Sequence, residues 1–190
     1  MAKAEYRSAI RSKSLIKKAV AKLIHEKDVS KITISDIIRE ADISRGTFYA
    51  HYSDVSSVLE QIEGEELQAL VQFIERFGFE NIISNVDVLI EQICEYLERD
   101  KEYYRMLAQS NVLNNYLWRL VEVYYDKLLE IVYSQQKNID KEEANAYLIY
   151  VTTGAKTVIL SWLNEEIHST PKQIANVVGS LVNLNMQFYA

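Results

Sequence analysis

The sequence predicts an all-α protein of about nine helices, with a small N-terminal helix-turn-helix head and a larger C-terminal helical body. Only five of the 190 residues are glycine and only one is proline, so residues that break helices are rare. Apolar residues recur at spacings of three and four through most of the chain, which is the period of an amphipathic helix. Ser, Thr, Asp or Asn precedes most of these stretches, as expected at helix starts.

The first three helices are predicted close together. From Ala9 to Ile24 the apolar residues form one helical stripe. Thr33 is a predicted N-cap, and Asp36 three residues later completes a capping box for a short second helix. Residues 42–44 form a predicted tight turn, after which Ser44 caps a third helix from Arg45 to about Tyr52.

Six further helices follow in the body. Gly78 ends the first of them, just past its last periodic apolar residue. Asp140 and Glu143 form a second capping box, and Thr170 with Pro171 places proline at a first helical position. The predicted starts of the six helices are Asp54, Ser84 or Asn85, Asp100, Val112, Asp140 and Thr170.

Charge divides the chain unevenly. Residues 1–53 contain eleven Lys and Arg against six acidic residues, a net charge of +5, whereas the whole chain carries −6 and the remainder therefore −11. A basic head on an acidic body suits a protein that presents one end to a polyanion. Charge alone is equally compatible with a solvated basic helix face.

The segment Ser44–Tyr52 has the features that contact with DNA bases requires. Gly46 leaves room for close approach of the backbone, and Arg45 has the length and the paired donors to contact guanine O6 and N7. Phe48 supplies an inward anchor. Thr47, Tyr49 and His51 offer further polar contacts. Three helices separated by tight turns, with basic residues concentrated there, are typical of a helix-turn-helix.

The run Thr33–Tyr52, TISDIIREADISRGTFYAHY, resembles the DNA-binding signature of the TetR/AcrR family of transcriptional regulators. The resemblance implies a DNA-binding domain over residues 1–60, with the helix-turn-helix at about 33–52, and a ligand-binding and dimerisation domain over residues 61–190. It implies base contacts from Arg45 and Thr47, and phosphate contacts from Thr33, Tyr49 and His51. The full set of expected DNA-binding residues is Thr33, Ser44, Arg45, Gly46, Thr47, Tyr49 and His51.

Two positions depart from the family pattern. Asp42 stands where the family usually has Gly, at a turn position that Asp tolerates because it adopts the left-handed region more easily than most residues. Val55 stands where the family usually has Lys. The second departure removes one expected phosphate contact.

The body is rich in aromatic residues, which either line a ligand pocket or belong to ordinary core and interface. Gly154 lies in the middle of a predicted helix, where Gly costs about 1 kcal/mol relative to Ala; a close helix crossing at a dimer interface would explain it, as would chance. The candidate ligand-binding residues are Tyr103, Tyr104, Trp118, Tyr124, Tyr147 and Tyr150. The candidate dimer-interface residues are Gly154, Val158, Trp162, Val178 and Leu181.

Several classes of site are not expected. A single cysteine, Cys94, excludes an internal disulfide and a Cys-rich zinc site, and its place in an apolar stripe favours inert core over a redox sensor. The three histidines do not pair with carboxylates at metal-ligand spacing, so we expect no metal and no cofactor. No uninterrupted apolar stretch is long enough for a bilayer, and no secretion signal opens the chain, so we expect a cytoplasmic protein without a membrane partner.

We therefore expect a sequence-specific transcriptional regulator of double-stranded operator DNA. The favoured form is a homodimeric repressor that a small-molecule effector releases from a palindromic operator. The alternative is an activator, or a regulator controlled by a protein partner. An enzyme is disfavoured because the sequence shows no acid/base or nucleophile constellation. A helical scaffold whose basic head binds membranes is a further alternative.

Overall fold

The computed structural model of the chain describes residues 2–82, 84–110, 112–135 and 139–187. These residues form nine α-helices and two short 3-10 turns, Val29–Lys31 and Phe79–Asn81, and the described ranges contain no strand. The predicted all-α class is confirmed. The helices are α1 Ala2–Glu26, α2 Ile34–Ala41, α3 Arg45–Tyr49, α4 Val55–Phe77, α5 Val86–Glu98, α6 Lys101–Gln109, α7 Val112–Gln135, α8 Lys141–Leu163 and α9 Pro171–Gln187.

The head, α1 to α3 with the turns between them (residues 2–52), packs around a small apolar centre. The inward stripe of α1 lies against α2 and α3, and it also contacts α4 and α6 of the body. Val20 of α1, Ile37 of α2 and Phe48 of α3 are each 0% exposed. Each helix of the head therefore contributes a fully buried side chain to this centre.

The body, α4 to α9, is a bundle in which α5 lies closest to α9. Gly179 of α9 makes that approach possible, because a Cβ atom there would come within 2.7 Å of the Asp87 Cβ on α5. Cys94 of α5 lies in the core, where burial raises the pKa of its thiol to about 12. This placement agrees with the core position predicted for it.

The helix α4 joins head and body without interruption. It begins after Asp54, whose carboxylate accepts from Ser57 N at 2.7 Å in a capping box, and it runs to Phe77. The domain boundary predicted between residues 60 and 61 lies inside this helix. One uninterrupted helix therefore joins the body to the segment that follows α3 in the chain.

The predicted helix starts are found in the structure, and several of them are closed by a side-chain capping hydrogen bond. Thr33 and Asp140 each form the reciprocal box with the residue three positions later, and Thr170 exchanges the equivalent bonds with Gln173. Asn85 and Asp100 begin α5 and α6 at the predicted places without a side-chain cap. Helix α1 begins at Ala2, earlier than the predicted Ala9, because the sequence before Ala9 has no apolar stripe from which a helix could be predicted.

Helices α8 and α9 carry several exposed apolar side chains. Helix α8 is long and apolar enough, by length and composition, to cross a membrane, yet only 28% of its most apolar window is buried. Ile149 and Tyr150 of α8 are exposed, as are Val177 and Leu181 of α9. We call these four residues, together with exposed Gly154, the α8–α9 face.

Candidate nucleic-acid interface and body cavity

The turn between α2 and α3 is set by a left-handed residue. Asp42 ends α2 with φ 50° and ψ 52°, and Ile43 N donates to Ile38 O at 3.2 Å, which closes the helix end. Asp tolerates this conformation better than most residues other than Gly, because its short polar side chain can hydrogen-bond to the local backbone. The conformation expected for Asp42 at this family glycine position is confirmed.

Helix α3 is capped and anchored by its own short sequence. Ser44 Oγ accepts from Thr47 N at 3.0 Å and lies 2.8 Å from Thr47 Oγ1. Phe48 is fully buried beneath the helix, and the Tyr49 ring packs edge-on against it with the ring centres 5.6 Å apart. These contacts hold a helix of only five residues in a defined orientation.

The outer side of α3 consists of the residues predicted to read DNA. Arg45 and Gly46 are exposed, and Tyr49 is half exposed. Thr47 and His51 are half-buried at the edges of this surface. The exposed members of the predicted set on α3, namely Arg45, Gly46 and Tyr49, thus lie within about one turn of this helix.

Thr33 lies differently from the rest of the predicted set. Its hydroxyl donates to Asp36 Oδ2 at 2.7 Å, and its backbone N–H donates to the same oxygen at 3.0 Å. Asp36 also accepts from Lys27 at 2.6 Å and from Arg39 at 2.8 Å. The hydrogen bonds from Lys27 and Thr33 hold the pKa of Asp36 well below its usual range. A phosphate at Thr33 would therefore compete with this carboxylate.

Much of the positive charge of the head is already paired. Lys17 pairs with Glu65 of α4, Lys18 lies 2.7 Å from Asp100, and Lys22 lies 2.7 Å from Glu40. These pairs join α1 to α4, α6 and α2. Within residues 6–52 of the head, the exposed lysines and arginines that form no ion pair are Arg7, Arg11, Lys31 and Arg45. The unpaired positive charge of the head thus lies at the start of α3, along the first half of α1 and in the turn that follows α1.

The body contains a partly open apolar cavity of about 170 Å³ bounded by α4, α5, α7, α8 and α9. Fifteen of its eighteen lining residues have hydrocarbon side chains; the others are Tyr147, Thr152 and Lys156. Ile74, near the end of α4, forms part of the wall. The helix that reaches α3 at one end therefore lines this cavity near the other.

A second cavity of about 160 Å³ lies where α1 and α6 meet α4, next to a buried carboxylate. Glu66 of α4 is 7% exposed and accepts from Tyr104 at 2.8 Å, with Tyr96 at 3.4 Å and Tyr103 at 3.5 Å. Burial raises the pKa of Glu66, and the hydroxyl of Tyr104 offsets part of that rise. The sequence held a signal for it: Glu66 interrupts the apolar stripe of α4 between Ile62 and Leu70.

The six aromatic residues predicted to bind ligand are not gathered in one place. Tyr147 lines the apolar cavity, and Tyr103 and Tyr104 surround Glu66. The other three lie apart: Trp118 stacks beneath Lys156, Tyr124 packs on Phe79, and Tyr150 is exposed on the α8–α9 face.

The residues predicted to form the dimer interface differ in burial: some are exposed and others lie in the core of the subunit. A Cβ atom at Gly154 would meet no heavy atom within 4 Å, and Leu181 is 49% exposed. Val158 is half-buried. Trp162 and Val178, in contrast, lie in the core of the chain itself, where Trp162 Nε1 donates to Ser169 O at 2.8 Å. Two side chains of the predicted set are thus committed to packing within the subunit.

Comparison with known proteins agrees with this architecture. A family described as "Bacterial regulatory proteins, tetR family" matches residues 16–62, and one described as "Transcriptional regulator C-terminal region" (TetR_C_8) matches residues 84–184. No curated protein matches the chain at the level of sequence.

Solved structures share the fold along nearly the whole chain. A TetR transcriptional regulator from Streptococcus agalactiae superposes with a TM-score of 0.60 at 21% identity, covering 96% of this chain and 99% of its own. A TetR-family regulator from Syntrophomonas wolfei gives 0.61 at 18%, covering 93% and 95%. The dihydroxyacetone kinase operon activator DhaS gives 0.57 at 16%, covering 94% and 97%.

Proposed function

The chain belongs to the TetR family of DNA-binding transcriptional regulators, and on that premise we propose that it is a homodimeric repressor released from a palindromic operator by a small molecule. The observation that carries the proposal is a capped, anchored α3 with Arg45 and Tyr49 exposed at its tip, joined by one helix to an apolar cavity.

We assign sequence recognition to the outer side of α3. Arg45 would donate two hydrogen bonds to guanine O6 and N7, and Thr47 would contact a neighbouring base edge. Tyr49 and His51 would bind phosphates and fix the register of the helix in the major groove. Gly46 would allow the backbone to approach the DNA. Ser44 would act through the cap that orients α3, and Thr33 through the box that begins α2.

We assign dimerisation to the α8–α9 face. Its exposed apolar side chains are what a subunit interface would cover, and exposed Gly154 would let a helix of the second copy come close. The interface does not need Trp162 or Val178, which pack within the subunit. Pairing there would present two α3 helices about 34 Å apart, the spacing of successive major grooves.

We assign effector binding to the apolar cavity and its transmission to α4. A molecule that enlarges the cavity would displace Ile74, and the rigid helix would carry that displacement toward α3, about 28 Å away. The effector changes DNA affinity only if it binds better to the conformation whose heads do not fit the operator. We place the division between the two functional parts at α4, which both share, rather than at residue 60.

The DNA assignment is tested with Arg45→Ala against operator DNA selected from a random pool. We expect operator affinity to fall by about 1–3 kcal/mol and base preference to relax at one position in each half-site. Arg76→Ala, at the exposed end of α4, is the matched control and should bind as the parent does. If Arg45→Ala and Arg76→Ala bind the operator equally well in a gel-shift titration, α3 is not the recognition helix.

The dimer assignment is tested with Val177→Glu and its control Val123→Glu, two exposed valines of which only the first lies on the α8–α9 face. We expect Val177→Glu to sediment as a monomer, because a carboxylate buried in an apolar interface lacks a partner. Val123→Glu should remain a dimer. Equal masses for the two variants in sedimentation equilibrium would contradict the assigned interface.

Activation of transcription, rather than repression, is the one specific alternative. DhaS, a structure of the same fold, is named as an operon activator, so an activator role for this chain is the second candidate. Transcription from a promoter containing the selected operator, measured with and without the protein, separates the two: repression lowers the transcript and activation raises it.

A further inference from the structure

The three polar side chains around the body cavity direct their polar atoms elsewhere. Thr152 Oγ1 donates to Leu148 O at 2.7 Å, within its own helix. The Tyr147 hydroxyl donates to Val182 O at 3.3 Å. Each of these two hydroxyl groups therefore already donates its proton to a backbone carbonyl and does not offer it to a ligand.

Lys156 brings no charge into the cavity either. Its Nζ lies 5.0 Å from the centre of the Trp118 ring, a cation–π contact on a side chain that is 38% exposed. The lysine thus lines the cavity with methylene groups while its ammonium lies over an exposed ring. Among the described lining residues, nothing is left to hold a charged ligand group.

We propose that this cavity selects an uncharged hydrocarbon group: a single ring with one or two further carbon atoms. The inference rests on the proposed function, in which the cavity is the effector site. A charged group entering it would lose its hydration and find no partner. The size follows from the volume of about 170 Å³, because an engineered apolar cavity of about 150 Å³ stays dry and admits benzene.

The test compares two probes of nearly equal shape on the full chain without DNA. Ethylbenzene and benzylammonium have the same number of non-hydrogen atoms and differ in charge. Calorimetric titration should show ethylbenzene binding and benzylammonium at least about 100-fold weaker, a difference of about 2.7 kcal/mol. Equal affinities, or no heat of binding with ethylbenzene, would overturn the proposal.

A matched pair of substitutions on α8 locates the binding. Ala155 lines the cavity, so Ala155→Leu should fill part of it and weaken ethylbenzene binding at least about tenfold. Ala146 is exposed on the same helix outside the lining, and Ala146→Leu should bind as the parent does. Unchanged affinity in Ala155→Leu would overturn the assignment to this cavity.

Val121→Ala is a second, independent test of the same cavity, which applies even if Ala155→Leu does not fold. This change enlarges the same cavity, so it should shift preference from ethylbenzene toward butylbenzene by at least about tenfold. Circular dichroism verifies that each variant is folded. An unaltered preference would count against this site.

Measuring operator binding in the presence of ethylbenzene distinguishes two claims: that the cavity binds hydrocarbons, and that it is the effector site. If ethylbenzene binds in the predicted pattern and leaves operator affinity unchanged, the hydrocarbon site stands and its role as effector site fails. If the cavity binds the charged probe as well as the neutral one, the ligand class fails, while the Arg45 and Val177 experiments still decide the proposed function.

Discussion

The head and the body are stabilised in different ways. In the head, the polar contacts that begin α2 and α3 join neighbours in sequence, Thr33 with Asp36 and Ser44 with Thr47. In the body, the buried Glu66 meets Tyr104, 38 residues further along the chain, and an apolar void of about 170 Å³ remains. Local hydrogen bonds thus orient α3, the helix proposed to contact DNA. A void and a buried carboxylate lower stability, so the body retains features that a scaffold alone would not need.

The largest effect is expected when one isoleucine is truncated in the head and one in the body. Ile37 of the head is 0% exposed, whereas Ile90 of the body lines the cavity and lacks neighbours on that side. We expect Ile37→Ala to lower the free energy of unfolding by about 4 kcal/mol and Ile90→Ala by about 2 kcal/mol, since deletion beside an existing void removes fewer contacts. Urea unfolding measures both.

Equal losses for the two isoleucine variants would mean that the cavity closes in solution. Ile10→Ala, at an exposed position of α1, is the control and should unfold as the parent does.

A smaller effect, and one that depends on pH, is expected from Glu66. Burial raises its pKa in the folded chain above that of the unfolded chain, so folding favours the protonated form. The contribution of Glu66 to the free energy of unfolding is fully present at pH values below its pKa in the unfolded chain. This contribution is lost as the pH rises through its pKa in the folded chain. Glu66→Gln should remove that loss and gain on the order of 1 kcal/mol at neutral pH, because its amide oxygen still accepts from Tyr104.

Thermal unfolding of Glu66→Gln and of the parent across pH 4 to 8 measures this gain. The two curves should meet at the acid end and separate as the pH rises. Glu63→Gln on the same helix removes a carboxylate that pairs with Arg119 at the surface, and it should not reproduce the separation. Parallel curves for Glu66→Gln and the parent would show that Glu66 titrates normally.

Sequence reasoning was most accurate where structure is local. The boxes at Thr33 and Asp140 were predicted because their partners lie three residues away, and the left-handed Asp42 because turn chemistry depends on one residue. The placement of α3 and its buried Phe48 was predicted for the same reason.

The body was harder to predict because its proposed effector site depends on how distant helices pack. Aromatic content pointed to six residues, yet the cavity wall is mostly aliphatic and includes only Tyr147 among them. Trp162 and Val178 have apolar spacing that suits a core as well as an interface, so periodicity could not separate the two. Glu66 was missed although it interrupts an apolar stripe, a pattern that deserves weight in other sequences.

The smallest effect is expected from two buried tyrosine hydroxyls, one in each part of the molecule. Tyr52 of the head is 4% exposed, its hydroxyl has no hydrogen-bond partner among the described residues, and burial raises its pKa to about 12. The Tyr147 hydroxyl of the body donates to Val182 O. Removing an unpaired buried hydroxyl relieves a desolvation penalty, whereas removing a paired one loses a bond.

We therefore expect Tyr52→Phe to raise the free energy of unfolding by up to about 1 kcal/mol and Tyr147→Phe to lower it by about 0.5–1 kcal/mol. Urea midpoints with unchanged slopes would report stability alone. Operator affinity should be unchanged in Tyr52→Phe, because the ring still packs on Phe48. A loss of stability in Tyr52→Phe would mean that this hydroxyl binds a partner in solution, and the head would then hold a buried polar contact of the kind that here distinguishes the body.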